Sequence, residues 1–339
     1  MAVVAVAGGP GAPGATTTAL ALLLCWPLRP GRRVLLAECD PDGGAVLAGA
    51  LEGRIDAVYG LRNLAVADRR GLLAQTIWEQ LIDLSPDGSG ERLLLPGLTD
   101  PAQAPGLAYT WEPLVEAFHA LEAHGYDVLV DLGRSGAAGP GAVLARRADA
   151  VAVVTRTTLR GLAAARPRVA ALREDLESAG TGADALCLLP VAEGPYPLAE
   201  AARELGVAGL GPLPYAPRTA RVLSDGGDTA DRRFVRSELM RTARTAADGL
   251  QQLAARRRQR LAPQPGLPQQ PVQQPVQQAA PGPVLGPVQS GQPWGPAPDP
   301  YPSGFPQHIA PPAVPQPPAP APFPQPPQHA GHGEVLRAR

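Results

Sequence analysis

The sequence predicts an α/β domain with a mostly parallel sheet and helices on both faces, followed by a disordered Pro/Gln-rich tail. Short apolar runs typical of buried strands alternate with longer segments of helical periodicity, which is the pattern of parallel strands joined by crossover helices. Composition then changes sharply near residue 260. We therefore assign residues 1–259 to the α/β domain and residues 260–339 to the tail.

Each element of this prediction is carried by a run of residues. Strands are predicted at Ala2–Ala7, Arg33–Ala37, Arg92–Leu95, Tyr126–Leu132, Asp149–Thr155 and Ala185–Leu189. Helices are predicted at Ala15–Cys25, Trp111–His124, Leu162–Ser178 and Pro197–Leu205, with Pro167 in the first turn of the third. Because ligands of such folds lie at the carboxyl ends of the strands, the residues that follow the strands are candidates for function.

Composition excludes several function classes. All 30 cationic residues of the 339-residue chain are arginine, so no lysine can form a Schiff base or hold a phosphate. The net charge of −1 gives no global basic field for nucleic acid or anionic membrane. Three isolated cysteines without C-x-x-C spacing predict buried thiols rather than a disulfide framework or a zinc site. Without a signal peptide or a membrane-length apolar run, we expect a cytoplasmic protein.

The tail is defined by proline. Of the 42 prolines, 24 lie between residues 261 and 327, where charges nearly vanish. Such a segment lacks the apolar density that would offset the entropy of ordering it, so we expect disorder with polyproline II bias. It is either a solubilising spacer or a docking tail for a protein partner.

A glycine-rich loop follows the first predicted strand. The phosphate-binding pattern G-x-x-x-x-G-K-[ST] matches Gly9, Gly14 and Thr16, but Ala15 stands at the lysine position. Such a loop before a helix N-terminus can point backbone N–H groups at a phosphate, and the Thr16 hydroxyl corresponds to the group that binds Mg²⁺ in these loops. The alternative is a tight strand-to-helix turn without a ligand.

Further blocks follow in order along the chain. They are Glu38-Cys39-Asp40-Pro41, Val128-Leu129-Val130-Asp131-Leu132-Gly133, the strand run from Ala148 to Thr155, and a looser set formed by Pro214, Ala220 and Gly226. Together with the glycine-rich loop they resemble the ParA/MinD group of P-loop ATPases, and within it the TadZ/CpaE-like branch, over nearly all of residues 1–250. No single block is specific, but the ordered set is.

The resemblance implies a nucleotide site. The phosphates of ATP or ADP would be cradled by a loop made of Gly9, Gly11, Gly14, Ala15, Thr16 and Thr17. Mg²⁺ would lie near Thr16 and Asp131, with Glu38 as a further candidate ligand. Asp40 stands near the place of the carboxylate that positions the attacking water, and is water-positioning or vestigial here.

Two departures from the family pattern bear on activity. The family loop reads K-G-G-x-G-K-T-T, and its two lysines are replaced here by Pro10 and Ala15. Losing one charge-assisted phosphate contact weakens binding about 10–100-fold, and losing cationic stabilisation of the transferring phosphoryl group costs on the order of 10³–10⁵ in rate. We therefore expect weak nucleotide binding without useful hydrolysis. Arg134 and Arg156 are either candidate substitute cations or solvated loop arginines.

Three functions are open. The first, which agrees with this expectation, is a non-hydrolysing scaffold or positioning factor for a Flp/Tad pilus, a secretion assembly or other cell-pole machinery, which would recruit the protein to the membrane or pole. The alternative is an active partition-type ATPase, with an arginine in place of the lysine, that forms a homodimer on ATP and binds DNA. The third is an interaction module that acts through the Pro/Gln-rich tail. Residues 231–260 carry nine arginines against three acids, so Arg232–Arg260 either form the solvated face of a closing helix or contact DNA or anionic lipid.

Overall fold

The computed structural model describes residues 2–11, 14–56 and 58–261. The predicted tail from residue 262 onward lies outside the described residues. The last described helix ends at Leu261, close to the change in composition.

A nine-stranded sheet forms the centre of the domain. Its strands are β1 Val3–Ala7, β2 Arg33–Glu38, β3 Ile82–Asp83, β4 Arg92–Leu95, β5 Tyr126–Asp131, β6 Ala150–Arg156, β7 Leu186–Ala192, β8 Ala208–Gly209 and β9 Leu213–Pro214. The order across the sheet is β3-β4-β2-β5-β1-β6-β7-β8, and β9 also pairs with β7. All pairs are parallel except β3–β4. The predicted mostly parallel sheet is confirmed.

Ten α-helices connect the strands within the described residues. They are α1 Ala15–Cys25, α2 Leu61–Asp68, α3 Leu73–Thr76, α4 Trp111–Ala120, α5 Ala142–Arg146, α6 Leu159–Ala179, α7 Leu198–Leu205, α8 Pro217–Ser224, α9 Arg232–Val235 and α10 Glu238–Leu261. One-turn 3₁₀ segments, such as Leu121–His124 after α4, fill several connections.

The core consists of two apolar layers, one on each face of the sheet. Alternate residues of β1 show why: Val3 and Ala5 pack with α4, α5, α6 and α7 on one face, while Val4 and Val6 pack with α1 and α10 on the other. Successive side chains of a strand point to opposite faces, so a strand buried on both sides is apolar throughout. Helices on both faces, as predicted, are therefore confirmed.

Two helices differ from the sequence prediction. The helix predicted over Trp111–His124 is α-helical only to Ala120 and continues as a 3₁₀ turn over Leu121–His124. The helix predicted from Leu162 begins at Leu159, because Thr158 caps it by accepting a hydrogen bond from the backbone N–H of Gly161. Pro167 consequently lies inside α6 rather than in its first turn.

The three cysteines are buried and unpaired, as predicted. Along the described part of the chain, no helix combines the length and apolarity needed to cross a membrane.

Candidate functional site

Three neighbouring strands end at one level and bring the candidate residues together. Asp131 at the end of β5 is in register with Glu38 at the end of β2 and with Val6 of β1. Beyond the strands, the Gly8 N–H donates to the carbonyl of Gly133 at 2.7 Å. The glycine-rich loop and the Asp131 strand end therefore meet at the carboxyl edge of the sheet, where the sequence placed the ligand site.

The glycine-rich loop ends directly in a helix. Gly14 has φ 95°, a left-handed conformation that favours glycine, and α1 begins at the next residue. The Thr18 N–H donates to the Gly14 carbonyl at 2.8 Å, which closes the first turn. The first backbone N–H groups of α1 thus point towards the carboxyl edge, where the helix dipole favours an anion.

Asp131 is the buried acid of this edge. It is 1% exposed, and its carboxylate accepts hydrogen bonds from the Thr16 hydroxyl and, at 2.9 Å, from the Gly133 N–H. Burial raises the pKa of Asp131 to about 7, because the two hydrogen bonds only partly offset the loss of hydration. A cation placed beside this carboxylate would lower the cost of its charge.

A cavity of about 390 Å³ opens beside Thr16, the hydrogen-bond partner of Asp131, and we call it the phosphate cavity. Its lining is Gly8, Gly14, Ala15, Thr16, Thr17, Asp40, Asp42, Gly43, Gly133 and Arg134. Four of the six loop residues predicted from the sequence to bind phosphate, Gly14 to Thr17, are in this lining, and Asp40 faces the same space.

The side chain of Asp40, which lies just after β2, contacts the loop that follows β5. Its carboxylate accepts the Asp42 N–H at 3.0 Å and the Arg134 N–H at 3.2 Å. A Cβ at Gly133 would lie 1.7 Å from the Asp40 carboxylate, so only glycine fits there. Partial burial raises the pKa of Asp40, against the effect of these two hydrogen bonds.

Glu38 has a different environment. One of its carboxylate oxygens accepts the N–H groups of Ala45 and Val46 at 2.9 and 3.0 Å, and the other accepts that of Gly97 at 3.1 Å. Burial is the main cause of its raised pKa. Both oxygens are therefore engaged in holding two loops, which argues against direct metal ligation by Glu38.

Pro10 and Gly11 lie on the other side of the loop. They line a second cavity of about 510 Å³ that also contains Arg156, Arg160 and Glu193. Arg156, at the end of β6, forms an ion pair with Glu193 at 3.1 Å. The structure thus divides the predicted loop between two cavities.

A third cavity of about 310 Å³ adjoins the loop. It is bounded by Thr17, Arg156, Leu213, Pro214 and Tyr215, with further residues of α8. Tyr215 is not among the site residues that the sequence predicts, although it directly follows Pro214 of the loosest family block.

Thr16, in the lining of the phosphate cavity, and the Asp131 carboxylate bonded to it are oxygen groups of the kind that Mg²⁺ binds. Mg²⁺ is usually held by one or two protein oxygens together with waters and substrate phosphates. The Thr16 hydroxyl hydrogen-bonds the Asp131 carboxylate, so the two groups could share one ion. Among the described residues, no group of three or more His, Cys, Asp or Glu side chains could hold a metal by itself. The residues therefore fit Mg²⁺ that arrives with phosphate better than a resident metal.

The nine arginines of residues 231–260 divide into two sets. Arg257 is 1% exposed and contacts Asp184, with further hydrogen bonds to the carbonyls of Asp149 and Thr181. Arg258 pairs with Asp149 and Glu122, and Arg260 with Asp184. The other six arginines of this region, Arg232, Arg233, Arg236, Arg241, Arg244 and Arg256, are exposed. The last turns of α10 therefore have a structural role, which leaves only the exposed set as a candidate for contact with DNA or lipid.

Solved structures share this architecture. A ParA family ATPase from Chlorobium tepidum superposes with a TM-score of 0.56 at 17% identity, covering 73% of this chain and 98% of its own. MinD complexed with Mg-ADP from Pyrococcus horikoshii gives 0.53 at 17%, covering 76% and 98%. The MinC:MinD cell division complex from Aquifex aeolicus gives 0.53 at 18%, covering 73% and 95%. No family model and no curated protein matches the chain. At these identities the likeness establishes the fold, and the chain has the fold of the ParA/MinD ATPases.

Proposed function

We propose that the protein is a weak magnesium–nucleotide binder that works as a scaffold or positioning factor rather than as a turnover enzyme. The observation that carries the proposal is the phosphate cavity, where Thr16, the hydrogen-bond partner of the buried Asp131, lies at a helix N-terminus while Ala15 occupies the lysine position. The phosphate cradle and metal donors remain, whereas the loop lysine that would grip the transferring phosphoryl group is replaced by Ala15. Loss of this lysine weakens nucleotide binding far less than it slows nucleotide hydrolysis.

Titration of the full chain with Mg-ATP and Mg-ADP, with phosphate release followed in parallel, tests the proposal. We expect weak binding of both nucleotides and no sustained release. Turnover that is abolished by Asp40→Ala would instead establish the alternative, an active partition-type ATPase. Asp83→Ala is the matched control, because Asp83 also accepts two backbone N–H groups, from Ser85 at 2.8 Å and Gly90 at 3.1 Å, far from the cavity.

The partner assembly is proposed from the family resemblance. In the TadZ/CpaE-like branch, the role is to place a Flp/Tad pilus or a related secretion assembly at a cellular site. The solved MinC:MinD complex shows that a protein of this fold assembles with a protein partner. Deleting the gene in its host should displace a fluorescently marked pilus or secretion assembly, and unchanged placement would contradict this role.

DNA binding belongs to the alternative function and has its own test. Six exposed arginines on and before α10 could contact phosphates, whereas Arg257, Arg258 and Arg260 are ion-paired within the domain. If the alternative holds, the full chain should be retained on DNA at low salt and released as salt rises. Retention should then fall in Arg241→Ala and Arg244→Ala.

A further inference from the structure

The phosphate cavity contains a cation that the loop pattern does not describe. Among the described residues of its lining, Arg134 is the only one with a positive charge, and it shares the cavity with Asp40 and Asp42. The guanidinium lies on Asp42, with Nη2 at 2.8 Å and Nε at 3.1 Å from the same carboxylate oxygen. The Ser135 hydroxyl donates to that oxygen at 2.8 Å.

The backbone of Arg134 is fixed while its side chain is held only at the surface. The Arg134 N–H donates to Asp40, and its carbonyl accepts a hydrogen bond from Arg168. By contrast, the side chains of Arg134 and Asp42 are 57% and 39% exposed. Exposed ion pairs contribute little to stability. A stronger anion could therefore replace Asp42 as the partner of the guanidinium without moving the backbone of Arg134.

Phosphate is such an anion. A guanidinium binds a phosphate group through two parallel charge-assisted hydrogen bonds, and a polyphosphate carries more charge than one carboxylate. The loop beside Arg134 has Ala15 where a lysine would grip phosphate. Arg156 is less suited to the task, because its ion pair is with Glu193 and it lies outside the lining that contains Thr16.

We propose that Arg134 is the phosphate-binding cation of this cavity and that Asp42 is its internal competitor, which holds the guanidinium until a phosphate displaces it. The proposal rests on the proposed function, since it names the cation of the same site. Ligand entry then breaks the Arg134–Asp42 pair and forms an Arg134–phosphate pair, while the bonds from the Arg134 N–H to Asp40 and from the Ser135 hydroxyl to Asp42 still join the loops after β2 and β5. Asp42 thereby lowers the affinity of the site for phosphate.

The test is calorimetric titration of the full chain and its variants with Mg-ATP and with magnesium tripolyphosphate. Arg134→Ala should weaken both by about 10–100-fold, the effect of losing one charge-assisted contact. Asp42→Asn should strengthen both, because it removes the competing charge. In the Arg134→Ala background, Asp42→Asn should strengthen binding less than it does in the wild type, since only the repulsion between this carboxylate and phosphate is then left to remove.

Arg147→Ala is the matched control, because Arg147 forms an exposed pair with Glu112 at 3.1 Å before β6, at the opposite edge of the sheet. It should leave both affinities unchanged. Wild-type affinity in Arg134→Ala, or weaker binding in Asp42→Asn, would overturn the proposal while the proposed function stands. Absence of binding in both the wild type and Asp42→Asn would overturn the nucleotide part of the proposed function, and the Arg134 proposal with it. Thermal melts of each variant exclude unfolding as the cause.

Discussion

The acidic residues at the amino ends of the strands and those at the carboxyl ends have opposite electrostatic environments. We call these two sides of the sheet the amino edge and the carboxyl edge. At the amino edge, acids are matched to donors: Asp127 accepts the indole N–H of Trp26 at 2.8 Å and a guanidinium N–H of Arg32 at 3.3 Å, and Asp149 pairs with Arg258. At the carboxyl edge, burial raises the pKa values of Asp131 and Asp40. Compensated charges stabilise a fold, whereas uncompensated ones at a cavity are typical of a site that expects a ligand.

Replacing the buried acid of each edge should change stability with opposite signs. Burial raises the pKa of Asp131 from its usual value of 3.8 to about 7 in the folded state. The proton is thus bound more tightly in the folded state, and stability is lost as pH rises from about 4 through 7. Asp131→Asn should therefore be more stable than the wild type at pH 8, by up to about 4 kcal/mol, and equal to it below about pH 4.

Urea denaturation across this pH range measures the effect. Asp127→Asn is the control from the amino edge, since it removes a carboxylate that already has the cation Arg32 beside it. That variant should be less stable than the wild type at pH 8. If both variants shift stability in the same direction, the contrast between the edges is wrong.

The next largest effect is expected at Arg257, the buried cation of the amino edge. Arg257→Ala removes the partner of two carbonyls and of Asp184, which is half exposed, and should cost about 3 kcal/mol of unfolding free energy. Arg256→Ala, next to it but exposed, should cost less than about 0.5 kcal/mol. Denaturant titration compares the two, and equal losses would contradict a structural role for Arg257.

The sequence was sufficient for features set by local pattern. The apolar runs of β1, β2, β5 and β6 and the glycines after β1 located the strand ends, and therefore Thr16 and Asp131. Contacts between distant residues could not be predicted in this way. An arginine in an amphipathic helix is usually solvated, so the sequence of α10 does not indicate that Arg257 is buried. Its partner Asp184 lies 73 positions away. Likewise, nothing in the local sequence pairs Arg134 with Asp42 across 92 positions.

The smallest effect is expected from restoring the loop cations of the carboxyl edge. Ala15→Lys and Pro10→Lys together should raise Mg-ATP affinity about tenfold or more, equivalent to about 1.4 kcal/mol, if Gly14 to Thr17 still cradle phosphate. Ala170→Lys with Pro86→Lys adds the same charge at exposed positions outside the cavity and should change affinity far less. An equal gain in both pairs would mean that the added charge acts through the general field of the protein. No gain in either would mean that the loop does not receive phosphate, which would leave the carboxyl edge with uncompensated acids and no ligand to explain them.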